Sequence, residues 1–291
     1  VGANTAIFSL LDQALLRALP VLDPQELVYL QGTGNAWQGH TSSHGGGVES
    51  YFSYPMYRDL RDKAKAFDAL VGTTKTTVDL TRNSNSEFAE VELVTGNYFT
   101  MLGVRPAMGR VFTQAEDQQK DAAPVAVVSF NYWRAHMNSD PSAVGQTISL
   151  NNHPFRVIGI SAPGFRSAVW GESPAMFVPM SMIDEVIPGQ GKRLKDHTDR
   201  WMNIIGRLKD GVTAKQAQAM SAPLWHALRA DELKALGTRS QRFTDQFLTN
   251  SRLLVQPAAR GFSYNREDFQ TPLLVVMAMA LLVLLIAAVN V

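Results

Sequence analysis

At 291 residues, with 45% apolar and 18% charged side chains and a net charge of +1, the chain has material for one large or two medium domains. That balance excludes a basic nucleic-acid footprint and supplies no field to draw in an acidic partner. The absence of cysteine excludes disulfides, cysteine metal sites and thiol catalysis, and fits an oxidising compartment such as the periplasm.

The opening stretch "VGANTAIFSLLDQALLRALP" has no initiator Met, basic n-region or small-residue cleavage site, so it is not an intact signal peptide. Ile7, Leu10, Leu11, Ala14, Leu15, Ala18 and Leu19 recur at helical spacing, with Asp12, Gln13 and Arg17 on other faces. Residues 1–19 read as the last turns of a membrane helix continuing into a stalk broken at Pro20; taken alone, the segment could equally be an ordinary amphipathic helix. "ELVYL" (Glu26–Leu30) predicts a strand, and "GTGNAWQGHTSSHGGGVES" a loop with nothing to bury. In "SYPMYRDLRDKAKAFDALVG" Ser53 caps a helix and Pro55 suits its first turn. Tyr57, Leu60, Ala64, Phe67 and Val71 form its apolar face, and Gly72 stops it. "TVDLT" and "FAEVELV" alternate around the polar turn "RNSNSE", which predicts a hairpin.

The block from Gly96 to Trp170 is different in kind. "VTGNYFTMLGVRPAMGRVFTQAED" is turn-rich, "APVAVVSFNYWRAHM" predicts a strand and a short helix, and "GQTISLNNHPFRVIGI" a hairpin turning at "NNHP". Residues 96–170 therefore read as a compact β-rich insert. Beyond it, "MNIIGRL" (Met202–Leu208) is a strand, and Thr213 with Gln216 forms a capping box. The helix that follows carries Ala217, Met220, Leu224 and Leu228 on one face with a kink at Pro223, and "RLLVQP" (Arg252–Pro257) returns as a strand. Strand–helix–strand early and again late predicts an α+β fold. Two βαβ-like halves, 20–95 and 171–270, make a discontinuous subdomain around the insert.

The closing run "TPLLVVMAMALLVLLIAAVNV" has Asn290 as its only clearly polar residue after Pro272. Roughly 20 such residues span a bilayer core, so 271–291 read as the start of a second transmembrane helix rather than a buried soluble one. Pro272 lacks an N–H and suits the first turn of that span. The chain thus reads as a segment cut from between two membrane helices. The cytosolic flanks that would set orientation by Lys and Arg count are not in it.

A search for chemistry returns little. His40 and His44 have metal-clasping spacing but lie in a Gly/Ser loop without the Glu of a HExxH site. "GQGK" (Gly189–Lys192) is not a P-loop, and no G-x-S-x-G elbow occurs. The pairs Glu116–Asp117 and Asp59–Asp62 read as solvated. Trp133, Trp170, Trp201 and Trp225 read as packing anchors, whereas Trp37, in the long loop, is a candidate partner contact. No enzyme, cofactor or metal site is predicted for the chain.

Eight stretches carry a resemblance in collinear order over nearly the whole chain: "GANTAIFSLLDQALLRALPVLDPQELVYL", "FSYPMYRDLRD", "VTGNYFTMLGVRPAMGRVF", "PVAVVSFNYWRAH", "DPSAVGQTISLNNHPFRVIGI", "APGFRS", "GRLKDGVTAKQAQA" and "LLVLLIAAVNV". Together they resemble the MacB-like periplasmic core domain of FtsX-like ABC-type permeases, nearest to the Acidobacteria-type members. The resemblance implies a porter-like subdomain made of the paired halves and a sabre-like insert. It also implies a bacterial inner-membrane location with most of the chain periplasmic, a homodimer, and ATP used only through a separate cytoplasmic ATPase. The work would be mechanotransmission of membrane-helix motion to a periplasmic partner or cargo. The residues expected to relay it are Leu10, Leu11, Ala14, Leu15 and Leu19 in the stalk and Thr271 with Pro272 at the second span. The lipid bilayer is then a partner and nucleic acid is not. A membrane-anchored sensory or adhesive ectodomain without ATPase coupling is the alternative.

Overall fold

A computed structural model describes residues 18–33, 40–41, 51–83, 85–121, 123–263 and, near the C-terminus, 275, 278 and 279. The first half contains β1 (Leu27–Thr33), β2 (His40–Thr41), α1 (Tyr54–Lys63), β3 (Phe67–Arg82), β4 (Asn85–Val94), α2 (Tyr98–Leu102), β5 (Met108–Gly109), β6 (Val125–Val128) and α3 (Phe130–His136). The second contains β7 (Thr147–Leu150), β8 (His153–Ile160), β9 (Met176–Pro179), α4 (Ile183–Val186), β10 (Asp199–Arg200), β11 (Asn203–Leu208), α5 (Ala214–Ala235), α6 (Gln241–Thr249) and β12 (Arg252–Pro257).

The long sheet runs β12-β1-β11-β3-β4-β9-β6-β8-β5. β11 is antiparallel to both β1 and β3, and β1 is antiparallel to β12. Hence β1–α1–β3 and β11–α5–β12 are two split βαβ units, each with a strand of the other threaded between its own. The fold is mixed α/β, as the repeated rhythm predicts. The strands of 96–170 do not leave this sheet. β9 joins β4 to β6, β6 pairs β8, and β7 pairs both β8 and β3, so six strands close into a ring. Closure leaves fewer free edges than an open sheet of that width.

Adjacent side chains on a strand face opposite sides, and here both sides are buried. Val28, Leu70, Leu93, Val128, Val157, Val178 and Ile204 enter one core with Tyr57 and Leu60 of α1 and Trp225 and Leu228 of α5. Their immediate neighbours Leu27, Val71, Val94, Val127, Ile158, Phe177 and Ile205 enter the other. That second core centres on α2, where Phe99 stacks edge-on against Phe112 and Phe177 at 5.3 Å.

Three elements depart from the sequence reading, one being His40–Thr41, read as loop, which pairs with β10 as β2. Helix α1 stops at Lys63, with Ala64 already extended (φ −77°, ψ 111°). Phe67, Val71 and Gly72 therefore lie in β3 rather than on a helix face. A four-residue spacing satisfies both periods, and the β-branched run Val71, Thr73, Thr74, Thr76, Thr77, Val78 favours the strand. In α5, Met220 is 52% exposed and the buried face is Ala217, Ser221, Trp225, Leu228, Arg229 and Glu232. Trp225 sets that rotation, its ring edge-on to Phe52 and its indole N–H donating to Ser251 at 3.0 Å. The local signals hold elsewhere. Ser53 caps α1, Thr213 and Gln216 form their capping box, and Asn151 and Asn152 (φ 48° and 69°) make the two-residue turn between β7 and β8.

Gly159 pairs with Gly109 where β8 meets β5, and a Cβ there would lie 2.2 Å from the Arg110 carbonyl oxygen. Because the obstacle is backbone, Gly159→Ala should lower unfolding stability by about 2 kcal/mol, read as a lower urea midpoint with unchanged slope.

Among the described residues no helix is long and apolar enough to cross a membrane. The two predicted spans, 1–19 and 271–291, lie almost wholly outside the described residues.

Candidate functional site

The split βαβ order has a geometric consequence: the first and last strands are antiparallel neighbours, so β1 begins where β12 ends. The segment leading into β1 and the segment leaving β12 are thereby brought together. Leu19 N–H donates to the Ala259 carbonyl at 2.9 Å, and Ala258 N–H to the Leu27 carbonyl at 2.8 Å. Leu22 N–H donates to the carbonyl of Leu102, at the end of α2. The outgoing chain is stitched further along, with Phe262 N–H donating to Ala168 and Trp170 N–H to Phe262. The Phe262 ring lies 4.7 Å from that of Tyr29.

Arg207 of β11 fastens this junction from inside. It is 7% exposed, and its guanidinium donates to the carbonyls of Leu22 (2.5 Å), Asp23 (3.1 Å) and Met101 (3.0 Å) and to the Glu26 carboxylate (3.0 Å). A planar five-donor fork serves several acceptors at fixed angles, which an ammonium cannot. Asp23 takes a left-handed conformation (φ 39°), as a short polar side chain tolerates, in the turn that offers its carbonyl to Arg207. Hydrogen bonds thus tie the segments before β1 and after β12 to each other, to β1 and β11 and to α2.

A second ionic cluster ties the helices to β10. Glu232 of α5 accepts both Nε (3.0 Å) and Nη2 (2.7 Å) of Arg200 and also pairs with Arg229. The Arg229 guanidinium lies 3.6 Å from the centre of the Phe247 ring on α6. Burial and the neighbouring Arg200 charge pull Arg229 down to about 10. Alongside, Arg193 grips Asp199 of β10 at 2.7 and 3.0 Å and covers the Trp201 ring.

Of the residues the sequence nominates for mechanical coupling, Leu19 sits in the junction, partly buried against the second core. Leu10, Leu11, Ala14, Leu15, Thr271, Pro272 and the candidate contact Trp37 lie outside the described residues, as does His44. Asp59 pairs with Lys63, Asp62 with Arg61 and Glu116 with Arg110 at the surface, as expected of solvated carboxylates. Asp117 is the correction: it is buried and accepts the N–H groups of Gly96 (2.9 Å) and Ser181 (2.7 Å). Burial pushes its carboxyl up to about 6 against those hydrogen bonds. Among the described residues no group of three His, Asp or Glu side chains is arranged to hold a metal. Arg207 escaped the sequence reading, although a lone Arg inside the apolar strand "NIIGRL" is a signal of a buried polar contact.

The segments that flank the sheet thus lie side by side at one end of it. Two solved structures share this fold. The periplasmic region of MacB from Actinobacillus actinomycetemcomitans aligns over 87% of this chain and 94% of its own length, with a TM-score of 0.53 and 16% identity. The extracellular domain of the noncanonic ABC-type transporter YknZ from Gram-positive bacteria aligns over 79% and 99%, with a TM-score of 0.50 and 13% identity. The chain belongs to the MacB-like periplasmic core domain family, which it matches over residues 1–222. The macrolide export ATP-binding/permease protein MacB of Salmonella paratyphi A is 29% identical over 144 residues. That stretch is 48% of this chain and 19% of the relative, so the match spans about a fifth of that relative's length.

Proposed function

We propose that this chain is the periplasmic core domain of an inner-membrane ABC-type permease and that it relays motion of its membrane helices to a periplasmic partner or cargo. The observation that carries the reading is the junction: both connecting segments dock side by side and are fastened through Arg207 to the sheet. Two helices attached there could move the domain as one body. In this reading 20–95 with 171–270 form the porter-like subdomain and 96–170 the sabre-like one. The chain itself takes no cofactor and catalyses nothing. ATP is hydrolysed by a cytoplasmic partner, and the working unit is a homodimer in the bilayer.

Isolation of the native complex from detergent-solubilised membranes tests this, with intact-mass spectrometry of its components. A polypeptide longer than 291 residues with a co-purifying P-loop ATPase is the expected result. A chain of this length alone, with no ATPase, would make it a tethered ectodomain. In the full-length protein, Leu15→Pro should abolish ATP-driven coupling while leaving the circular dichroism of the domain unchanged, because proline breaks a rigid stalk helix. Retained coupling would remove the stalk from the relay.

A further inference from the structure

Residues 167–170 form a strap that grips on two sides. On the outer side the Ala168 carbonyl accepts the N–H of Phe262 at 3.0 Å, and the Phe262 carbonyl accepts that of Trp170 at 2.6 Å. Val169 and Phe262 stand opposite each other as an isolated parallel bridge. The strap thereby holds the segment that leaves β12. On the inner side the N–H of Ala168 donates to the Tyr98 hydroxyl at 3.0 Å and that of Val169 to the Ser167 hydroxyl at 2.9 Å. Each hydroxyl donates its own proton to one atom, Oε1 of Glu92 on β4, at 3.4 and 3.1 Å. That oxygen also accepts the Thr73 hydroxyl at 2.5 Å.

Glu92 is thus the anchor of the strap, and a costly one when ionised. It is 2% exposed, and its second oxygen, Oε2, is buried without a hydrogen-bond partner among the described residues. Lys75 lies directly opposite on β3, but its ammonium is held by Glu172 (2.7 Å) and Glu90 (3.3 Å) instead. A buried carboxylate with an orphaned oxygen and no counter-ion costs far more than a neutral carboxyl. Ser167 touches Glu92 and Val169 walls the cleft beside it, so lifting the strap gives the carboxylate to water. We propose that a proton on Glu92 closes the strap and that ionisation of Glu92 releases it, so that pH sets the grip on the segment leaving β12.

The direction follows from linkage. Burial, helped by the Glu172 carboxylate and opposed by the three hydroxyls, pushes Glu92 from an ordinary 4.5 up to about 7 in the closed strap. A group that holds its proton more tightly in the closed form than in the open one favours closure once protonated. The closing effect is therefore complete below 4.5 and is lost as the pH rises through about 7. The titratable groups that face Glu92 are Lys75 of β3, Glu90 of β4, Tyr98 of α2, Tyr51 ahead of α1 and Glu172 ahead of β9. The use of this grip in a relay rests on the permease reading above; the grip itself does not.

Hydrogen exchange of the chain in detergent micelles tests the proposal, read by mass spectrometry over residues 166–171 and 260–263 and corrected for the intrinsic rate. Protection there should fall about tenfold between pH 6 and pH 8, the ratio that a shift from 4.5 to about 7 gives. In Glu92→Gln, which cannot ionise, protection should be equal at the two pH values. Glu172→Gln should move the midpoint of the response to lower pH, because one cause of the raised Glu92 value is removed. Should Glu92→Gln not fold, that shift decides the matter, and an unchanged midpoint overturns the proposal. Equal protection at pH 6 and pH 8 in the unaltered chain would overturn it, as would a response shared by β1 and β11, which would be opening of the whole domain. Absence of a co-purifying ATPase would remove the relay and leave the exchange result standing.

Discussion

Glu232→Gln should lower the stability of the fold by about 3–5 kcal/mol, the cost of leaving buried charge without its counter-ion. Glu232, Arg200 and Arg229 are all at most 3% exposed. The single carboxylate bridges both guanidiniums and offsets one of their two charges, taking two hydrogen bonds from Arg200 and a third from Arg229. Glutamine keeps the shape but accepts through one oxygen only, and its NH2 group would point at a guanidinium. The damage should spread beyond the pair, because Arg229 also packs on Phe247 and Trp225 and so couples α5 to α6. Urea unfolding of the single variant and of the triple variant Arg200→Met, Glu232→Leu, Arg229→Leu separates two effects. The triple should recover most of the loss, since removing all the charges together leaves no uncompensated ion. A single variant losing less than about 1 kcal/mol would show that water or another acceptor reaches the site.

Arg207→Ala should cost about 3 kcal/mol and act at one end of the molecule. Four acceptors from two segments lose a charged donor, and that of Met101, in the buried contact, is the least able to turn to water. Amide exchange gives the diagnostic pattern. The N–H groups of Leu19 and Leu22, which close the junction on Ala259 and Leu102, should exchange about 100-fold faster. The N–H groups of β4 and β9 should not change. Arg207→Lys should recover only part of the protection, because an ammonium cannot span the same set of carbonyls. In the full-length protein the alanine variant should also lose coupling without losing the rest of the fold. Unchanged exchange at Leu19 and Leu22 would show that backbone pairing alone holds the flanking segments, and Arg207 would have no part in the relay.

Much of this was legible in the chain because it is encoded within a few residues. Ser53, Thr213 with Gln216, and the Asn151–Asn152 turn act on groups at most three positions away, so reading them needs no tertiary knowledge. The strand–helix–strand rhythm and the collinear stretches likewise announced the family from the order of short segments. Phe67 and Val71 show where that stops. Their spacing suits a helix or a strand, and the pairing of β3 with β11 and β4 settles which.

The remaining features depend on residues far apart in sequence. Arg207 meets Leu22 across 185 positions, Asp117 meets Ser181 across 64, and Glu92 meets Ser167 across 75. Asp117 and Glu92 look like ordinary surface charges until the fold removes them from water. By itself, the sequence determined the local turns, the caps, the period-two strands and the membership of a family. The tertiary structure decided which charges are buried, how the strands of 96–170 close onto β3, and that the segments before β1 and after β12 meet at one clamp. The reason is physical: propensity and capping act over a single turn, whereas burial and charge pairing exist only once distant segments have met.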